Sequence, residues 1–146
     1  MTPQLRTEQV AFQVEEGSFI LEMRREGDAY SLSCEADGPC SEDSVLMARV
    51  VAGAALINVQ ALLRALQSEQ DWSWEGEVAF SFEDVSPEWV LVDYFDAIAQ
   101  IPRNSFLRFS AALLERYAEL CRRMERSLPA EPGYSQAVAR IAAKSG

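Results

Sequence analysis

Carboxylates are the most abundant chemical groups in this sequence, and Glu75, Glu77, Glu83, Asp84, Glu88, Asp93 and Asp96 fall in one acidic stretch. Such a set can supply an acid/base pair or oxygen ligands for a divalent cation. No D-x-D-x-D-G loop and no E-x-x-H spacing organises them for either task. They read first as strand-edge acids that keep a sheet soluble. Histidine is absent altogether, which removes the commonest general base, the Ser-His and Cys-His nucleophile systems and most zinc sites. There is no P-loop, no G-x-G-x-x-G and no G-x-S-x-G. No catalytic, cofactor-binding or metal-ligating set is therefore expected. A carboxylate enzyme built on Glu77, Glu83 and Asp93 would need those groups to converge in a concave pocket with raised pKa values.

Trp72 and Trp74 are more informative. Two tryptophans one residue apart project to the same side of an extended segment, here bracketed by Asp71 and Glu75. Aromatic rings with an acidic rim suit a protein-binding patch, or they cap a sheet edge or helix end. Arg108, Arg122 and Arg126 could meet an acidic partner, or form the solvated face of an amphipathic helix. Cys34, Cys40 and Cys121 form no C-x-x-C pair. A Cys34–Cys40 disulfide across Gly38-Pro39 is one option, and three reduced thiols in a cytoplasmic protein is the other.

These groups sit on a chain of 146 residues whose 49% hydrophobic and 25% charged composition is that of a folded domain. A formal charge of −10 repels phosphates and anionic lipid, so no nucleic-acid or membrane partner is expected. The amino terminus shows no basic region followed by an apolar run, so no signal peptide is expected and the localisation reads as cytoplasmic.

The first third reads as a β-meander. Val10, Phe12 and Val14, then Phe19, Leu21 and Met23, then Tyr30, Leu32, Cys34 and Ala36 alternate with mostly polar neighbours. Gly17-Ser18 and Gly27-Asp28 punctuate them. Ser41-Glu42-Asp43 supplies a cap and first-turn acids for a helix over 45–66. Arg49, Gly53, Gln60 and Arg64 form one narrow wet stripe on that helix, and the rest of its circumference is apolar. The two arginines and that stripe argue against a membrane span. So apolar a helix needs cover on two sides, from the sheet and from another helix or a second subunit. Residues 78–82 read as a fourth strand. Trp89-Val90-Leu91-Val92, after a turn at Ser86-Pro87, reads as a fifth that is apolar on both faces, with a helix from Asp93 as the other option. Beyond Pro102, Asn104 or Ser105 caps a final helix in which Phe106, Phe109, Leu113, Tyr117, Leu120, Met124 and Leu128 recur at helical spacing, ended by Pro129. Residues 129–146 read as a loose tail in which 135–144 can form a short helix.

This order resembles the class I type III secretion chaperones, the Tir-chaperone-like family. Gly27-Asp28-Ala29-Tyr30-Ser31-Leu32-Ser33 is similar to that family's second-to-third strand hairpin. Glu77 to Glu83 followed by Trp89 to Val92 is similar to its second strand pair, and Phe106 to Tyr117 to its closing helix. The likeness spans residues 10–128 as element order and hydrophobicity. It implies a homodimer that binds an extended segment of a secreted effector or secretion-system protein, without a cofactor. The family opens on an amphipathic helix, which this chain, with nine residues before Val10, is not expected to have.

The expected fold is therefore α+β over residues 1–128: a five-stranded, mainly antiparallel sheet with two long helices packed on it. The expected function is non-catalytic partner binding by strand addition to the 10–16 edge, with pockets that take alternate side chains. Phe12, Val14, Phe19 and Leu21, with Trp72 and Trp74, are the candidate partner-binding residues. Ala48, Ala52, Ala55, Trp89 and Leu91 are the candidate dimer interface. The alternative is an adaptor on the same fold that sequesters a transcription factor or an assembly subunit.

Overall fold

The computed structural model describes residues 4–82, 87–128 and 133–146. The alternating first third folds into strands β1 (Leu5–Val14), β2 (Gly17–Glu26) and β3 (Ala29–Ala36), joined in that order as one antiparallel sheet. The first turn falls on Glu15-Glu16, closed by the Val14–Gly17 pair, and so precedes the Gly17-Ser18 expected from sequence. Gly17 re-enters the sheet at φ 146°, a conformation glycine adopts without steric cost. Phe12, Phe19, Leu21, Met23 and Cys34 point inward and are buried. Their alternates, such as Gln9, Gln13, Arg24 and Ser31, are exposed.

Helix α1 (Glu42–Ser68) is capped as its sequence predicts: the Ser44 N–H donates to Ser41 Oγ at 3.1 Å, with Glu42 and Asp43 in the first turn. It packs against β3, against four later strands and against two later helices, which accounts for its apolar circumference. Length and composition alone would let it cross a membrane, yet half of its apolar window is buried inside the fold. The helix breaks once, at Asn58 (φ −162°, ψ 88°). The Asn58 side chain accepts the Ala61 N–H at 3.0 Å and so starts the second half as an internal N-cap.

A second antiparallel sheet follows: β4 (Trp72–Trp74), β5 (Val78–Ser81), β6 (Trp89–Tyr94) and β7 (Ala97–Pro102), in that spatial order. The α+β class stands, but the expected single five-stranded sheet is corrected to two sheets of three and four strands. Two strands escaped the sequence pattern for local reasons. β4 is too short to display alternation. β7 follows a two-residue turn at Phe95-Asp96 that lacks the usual glycine or asparagine, so the segment from Asp93 resembled a helix start. Glu83 and the turn residue Ser86 lie outside the described residues.

Helix α2 (Arg103–Arg123) follows β7 directly. Neither Asn104 nor Ser105 caps it; the N-cap position is Pro102, and the Arg103 N–H donates to Glu88 O. The helix ends earlier than expected, with Glu125 at φ 56° and the Arg126 N–H returning to Cys121 O, a left-handed C-terminal turn. Pro129, the expected stop, lies outside the described residues. Helix α3 (Tyr134–Lys144) packs on α1 and α2. It buries Tyr134, Ala137, Val138 and Ile141, and the Tyr134 hydroxyl donates to Leu114 O at 2.6 Å. The helix expected within the loose tail is thus docked.

Candidate functional site

Two tight turns at one end of the second sheet begin the site. Glu75 and Gly76 have φ 50° and 72°, and Phe95 and Asp96 have φ 51° and 71°. Both pairs carry the signature of type I′ hairpin turns. The Glu77 N–H donates to Trp74 O at 3.0 Å, and the Phe95 N–H to Glu77 O at 2.6 Å, so the two hairpins are tied together. The Asp96 N–H donates to Asp93 Oδ1 at 3.0 Å. A bulky aromatic at positive φ is strained and persists only where its surroundings hold it. Phe95 is held there by these bonds and by Tyr94, whose ring meets it edge-on at 4.7 Å. It is 55% exposed.

The turns end a cross-strand row of Trp74, Val78, Tyr94 and Ala97, and the first three, with Phe95, form one wall of a groove of about 240 Å³. Its floor is α1, through Arg49, Ala52, Gly53, Leu56 and Ile57. Gly53 keeps the floor low: a Cβ there would stand 3.8 Å from Val78. Ile57 is 40% exposed and Trp74 37%. The opposite wall is β3, from Leu32 to Glu35. That volume suits one or two side chains; drug-sized ligands occupy sites of about 300–1,000 Å³.

The β3 wall is an open strand edge, because β3 has only β2 as a neighbour. In an antiparallel pair the residues alternate between bonding inward and facing away. The Asp37 N–H donates to Ser18 O at 2.8 Å, which sets that alternation. Ser31, Ser33 and Glu35 therefore bond to β2, while Tyr30, Leu32, Cys34 and Ala36 turn their N–H and C=O groups to the free edge. Leu32, half-buried, presents its groups to the groove, whereas those of Cys34, 1% exposed, are covered. The groove's rim carries the Glu35–Arg49 ion pair at 3.7 Å, and exposed Glu75, Glu77 and Asp96 adjoin the lining residues Trp74, Val78 and Phe95 in the chain.

The residues expected to bind a partner are distributed differently. Phe12, Phe19 and Leu21 are core residues, 6%, 0% and 0% exposed, and offer no surface pockets. The rings of Phe12 and Phe19 pack with Phe109 of α2 at 5.1–5.8 Å, and half-buried Val14 packs on the same core. β1 is an edge strand, but α2 laces it: Arg123 Nη1 donates to Gln9 O at 3.2 Å, and Arg6 to Arg123 O. Trp72 and Trp74 do share a face. Trp72 stacks on Phe80 at 5.9 Å and covers the core, so only Trp74 reaches the groove.

The expected dimer residues divide in the same way. Ala48, Ala52 and Ala55 are 0%, 2% and 1% exposed, covered by this chain's own sheets and helices and not free for a second subunit. Trp89 and Leu91 alternate with buried Val90 and Val92 and so lie on the outer face of the second sheet. Trp89 is 38% exposed there, and Ile98 of the neighbouring strand 59%. Of the arginine series, Arg108 pairs with Glu15 at 3.3 Å, Arg126 lies over the Tyr30 ring at 4.5 Å, and Arg122 is exposed.

Two groove residues, Ile57 and Phe95, and one residue of the outer sheet face, Ile98, were missed from sequence. Ile57 had a signal, since it follows Arg49 and Gly53 at steps of four and belongs to the wet stripe, where an exposed isoleucine is out of place. Phe95 and Ile98 were hidden with the hairpin that carries them.

The groups with shifted titration mark the core and one surface junction. Burial pushes the Cys34 thiol up to about 12 and raises Cys121, Tyr117 and Tyr134. All three cysteines are free thiols. The Arg103 side chain, with Lys144, holds the Glu69 carboxyl below its usual range. Glu77 is an exposed turn residue, and Asp93 lies on the outer face of the second sheet, so these two do not converge in a pocket. Glu83, the third member of that set, lies outside the described residues. Among the described residues, no group of three or more metal-ligating side chains is brought together. No family model, curated protein or solved structure matches the chain.

Proposed function

We propose that this chain is a non-catalytic, chaperone-like binder of an extended segment of a partner protein. The observation that carries the reading is the open β3 edge beside an apolar groove. Half-buried Leu32 turns its backbone groups toward that edge, where an incoming strand would bond, and Trp74, Ile57 and Phe95 stand where its alternate side chains would pack. Strand addition needs those two parts together: main-chain bonds for affinity and pockets for selectivity. The partner class we favour is a secreted effector or secretion-system component. The resemblance in element order to class I type III secretion chaperones supports that choice, although this chain has four strands in its second half where two were expected.

The same reading includes a homodimer, with its contact on the outer face of the second sheet. Trp89, Leu91, Ile98 and Pro102 share that face, and an apolar sheet face is commonly covered by another element or subunit.

Amide hydrogen exchange tests the binding reading, using the partner co-purified from the source cell. The Leu32 amide faces the free edge in the unbound chain. Its strong protection on binding is the expected result. A complex that forms without protecting it sinks the β3 reading.

A further inference from the structure

We infer that the groove selects extended segments whose apolar core is flanked by lysine or arginine, and disfavours acid-flanked ones. This rests on the strand-addition reading above and names the chemistry of its occupant.

Charge distribution carries the argument. Between Arg64 and Arg103 the chain has nine aspartate and glutamate residues and no lysine or arginine. The whole second sheet lies in that interval. That interval is about a quarter of the chain and the most densely acidic part of it, and its sheet forms one groove wall. Glu75, Glu77 and Asp96 are exposed in the turns and adjoin the lining residues Trp74, Val78 and Phe95 in the chain. Arg49, the one cation lining the groove among the described residues, is paired with Glu35 at 3.7 Å, so it does not offset those acids.

Exposed aromatic rings add a second attraction. Trp74 and Phe95, 37% and 55% exposed, stand beside those carboxylates. A ring face with acids nearby receives a guanidinium or ammonium group better than any other side chain, through cation–π contact and Coulomb attraction together. The apolar stem of a lysine or arginine would lie on the ring while its charge stays in water. A glutamate in the same place meets like charge and the negative ring face. The groove is short, so a bound segment's flanks emerge at this rim.

The test is titration calorimetry with two synthetic peptides that share an alternating valine core, one flanked by lysines and one by glutamates. The lysine peptide is expected to bind at least about tenfold more tightly at low salt. That advantage should shrink toward parity at about 0.5 M salt, where exposed charges are screened. It should also shrink in the triple variant Glu75→Gln, Glu77→Gln, Asp96→Asn. Asparagine tolerates the left-handed backbone at position 96, so the turn is kept. Equal binding of both peptides, each abolished by Leu32→Pro, would overturn the charge inference and leave strand addition standing. Tighter binding of the glutamate peptide would do the same. Failure of both peptides to bind the wild-type chain would overturn the strand-addition reading and this one with it.

Discussion

The two sheets of this molecule solve opposite problems. In the first, strands of eight to ten residues put every large apolar side chain but Leu5 and Ile20 inward and keep a polar outer face. Its β1 edge is laced by Arg123. In the second, strands of three to six residues are joined at tight turns, and Trp89, Phe95 and Ile98 stand exposed. The first sheet gains stability from regular burial. The second leaves apolar surface uncovered, a cost that soluble proteins carry where something else binds. The open edge of the first sheet faces the end of the second, so the groove exists only because both are mounted on α1.

The sharpest way to break this contrast is to remove one ring from each sheet. Phe19→Ala deletes a fully buried side chain that contacts Phe12 and Phe109 at 5.7 and 5.1 Å. It should cost about 3–5 kcal/mol, read as a lower denaturant midpoint. Ile98→Ala on the outer face of the second sheet should change stability by less than about 0.5 kcal/mol. Comparable losses from both would mean that the second sheet's outer face is packed after all. Ala52→Glu, at a site 2% exposed, should unfold the chain rather than dissociate a dimer, because it buries a charge without a partner. Ile98→Glu should lower the mass seen by light scattering from dimer to monomer while leaving the fold intact.

A paired proline substitution sharpens the edge argument. Ser33 bonds inward to β2, so Ser33→Pro removes a ladder bond and should destabilise the fold by about 1–3 kcal/mol. Leu32 presents its N–H to the free edge, so Leu32→Pro keeps the ladder and loses only packing. Its main effect should be on partner binding. Circular dichroism melts and calorimetry on the two variants separate these outcomes. If both melt alike and bind alike, the open edge is not where the partner adds.

The sequence made the first sheet legible and the second only in part. Long alternation names each strand of the first and its inward residues. The helical spacing of Phe106, Phe109, Leu113, Tyr117 and Leu120 likewise matches the buried face of α2. β4 and β7 were invisible because three residues carry no period, and because Phe95-Asp96 is a hairpin turn written in residues that avoid such turns. The apolar circumference of α1 was plain, but not what covers it. Sequence cannot distinguish a second subunit from two sheets and two helices of the same chain. The groove was hidden for a related reason. It is made of Leu32, Gly53, Ile57, Trp74 and Phe95, which only the fold brings together.

The smallest predicted effect concerns the junction that holds the second sheet to the helices. Glu69 ends α1 at φ 52°, and its carboxylate meets Arg103 at the start of α2 and Lys144 at the end of α3, the latter at 3.3 Å. Hydrogen bonding to Arg103 lowers its pKa in the folded chain below the ordinary carboxylate value of 4.5. A group depressed in this direction stabilises the fold fully above its unfolded pKa, and that contribution is lost as pH falls through the folded value. Glu69→Gln should therefore cost about 1 kcal/mol at neutral pH, a modest value because the three side chains are partly exposed. The gap between variant and wild type should close as the pH is lowered below the carboxylate range. If it instead persists unchanged at acid pH, the cost comes from the strained cap geometry and not from the ion pairs. In that case the junction positions the second sheet by backbone shape alone.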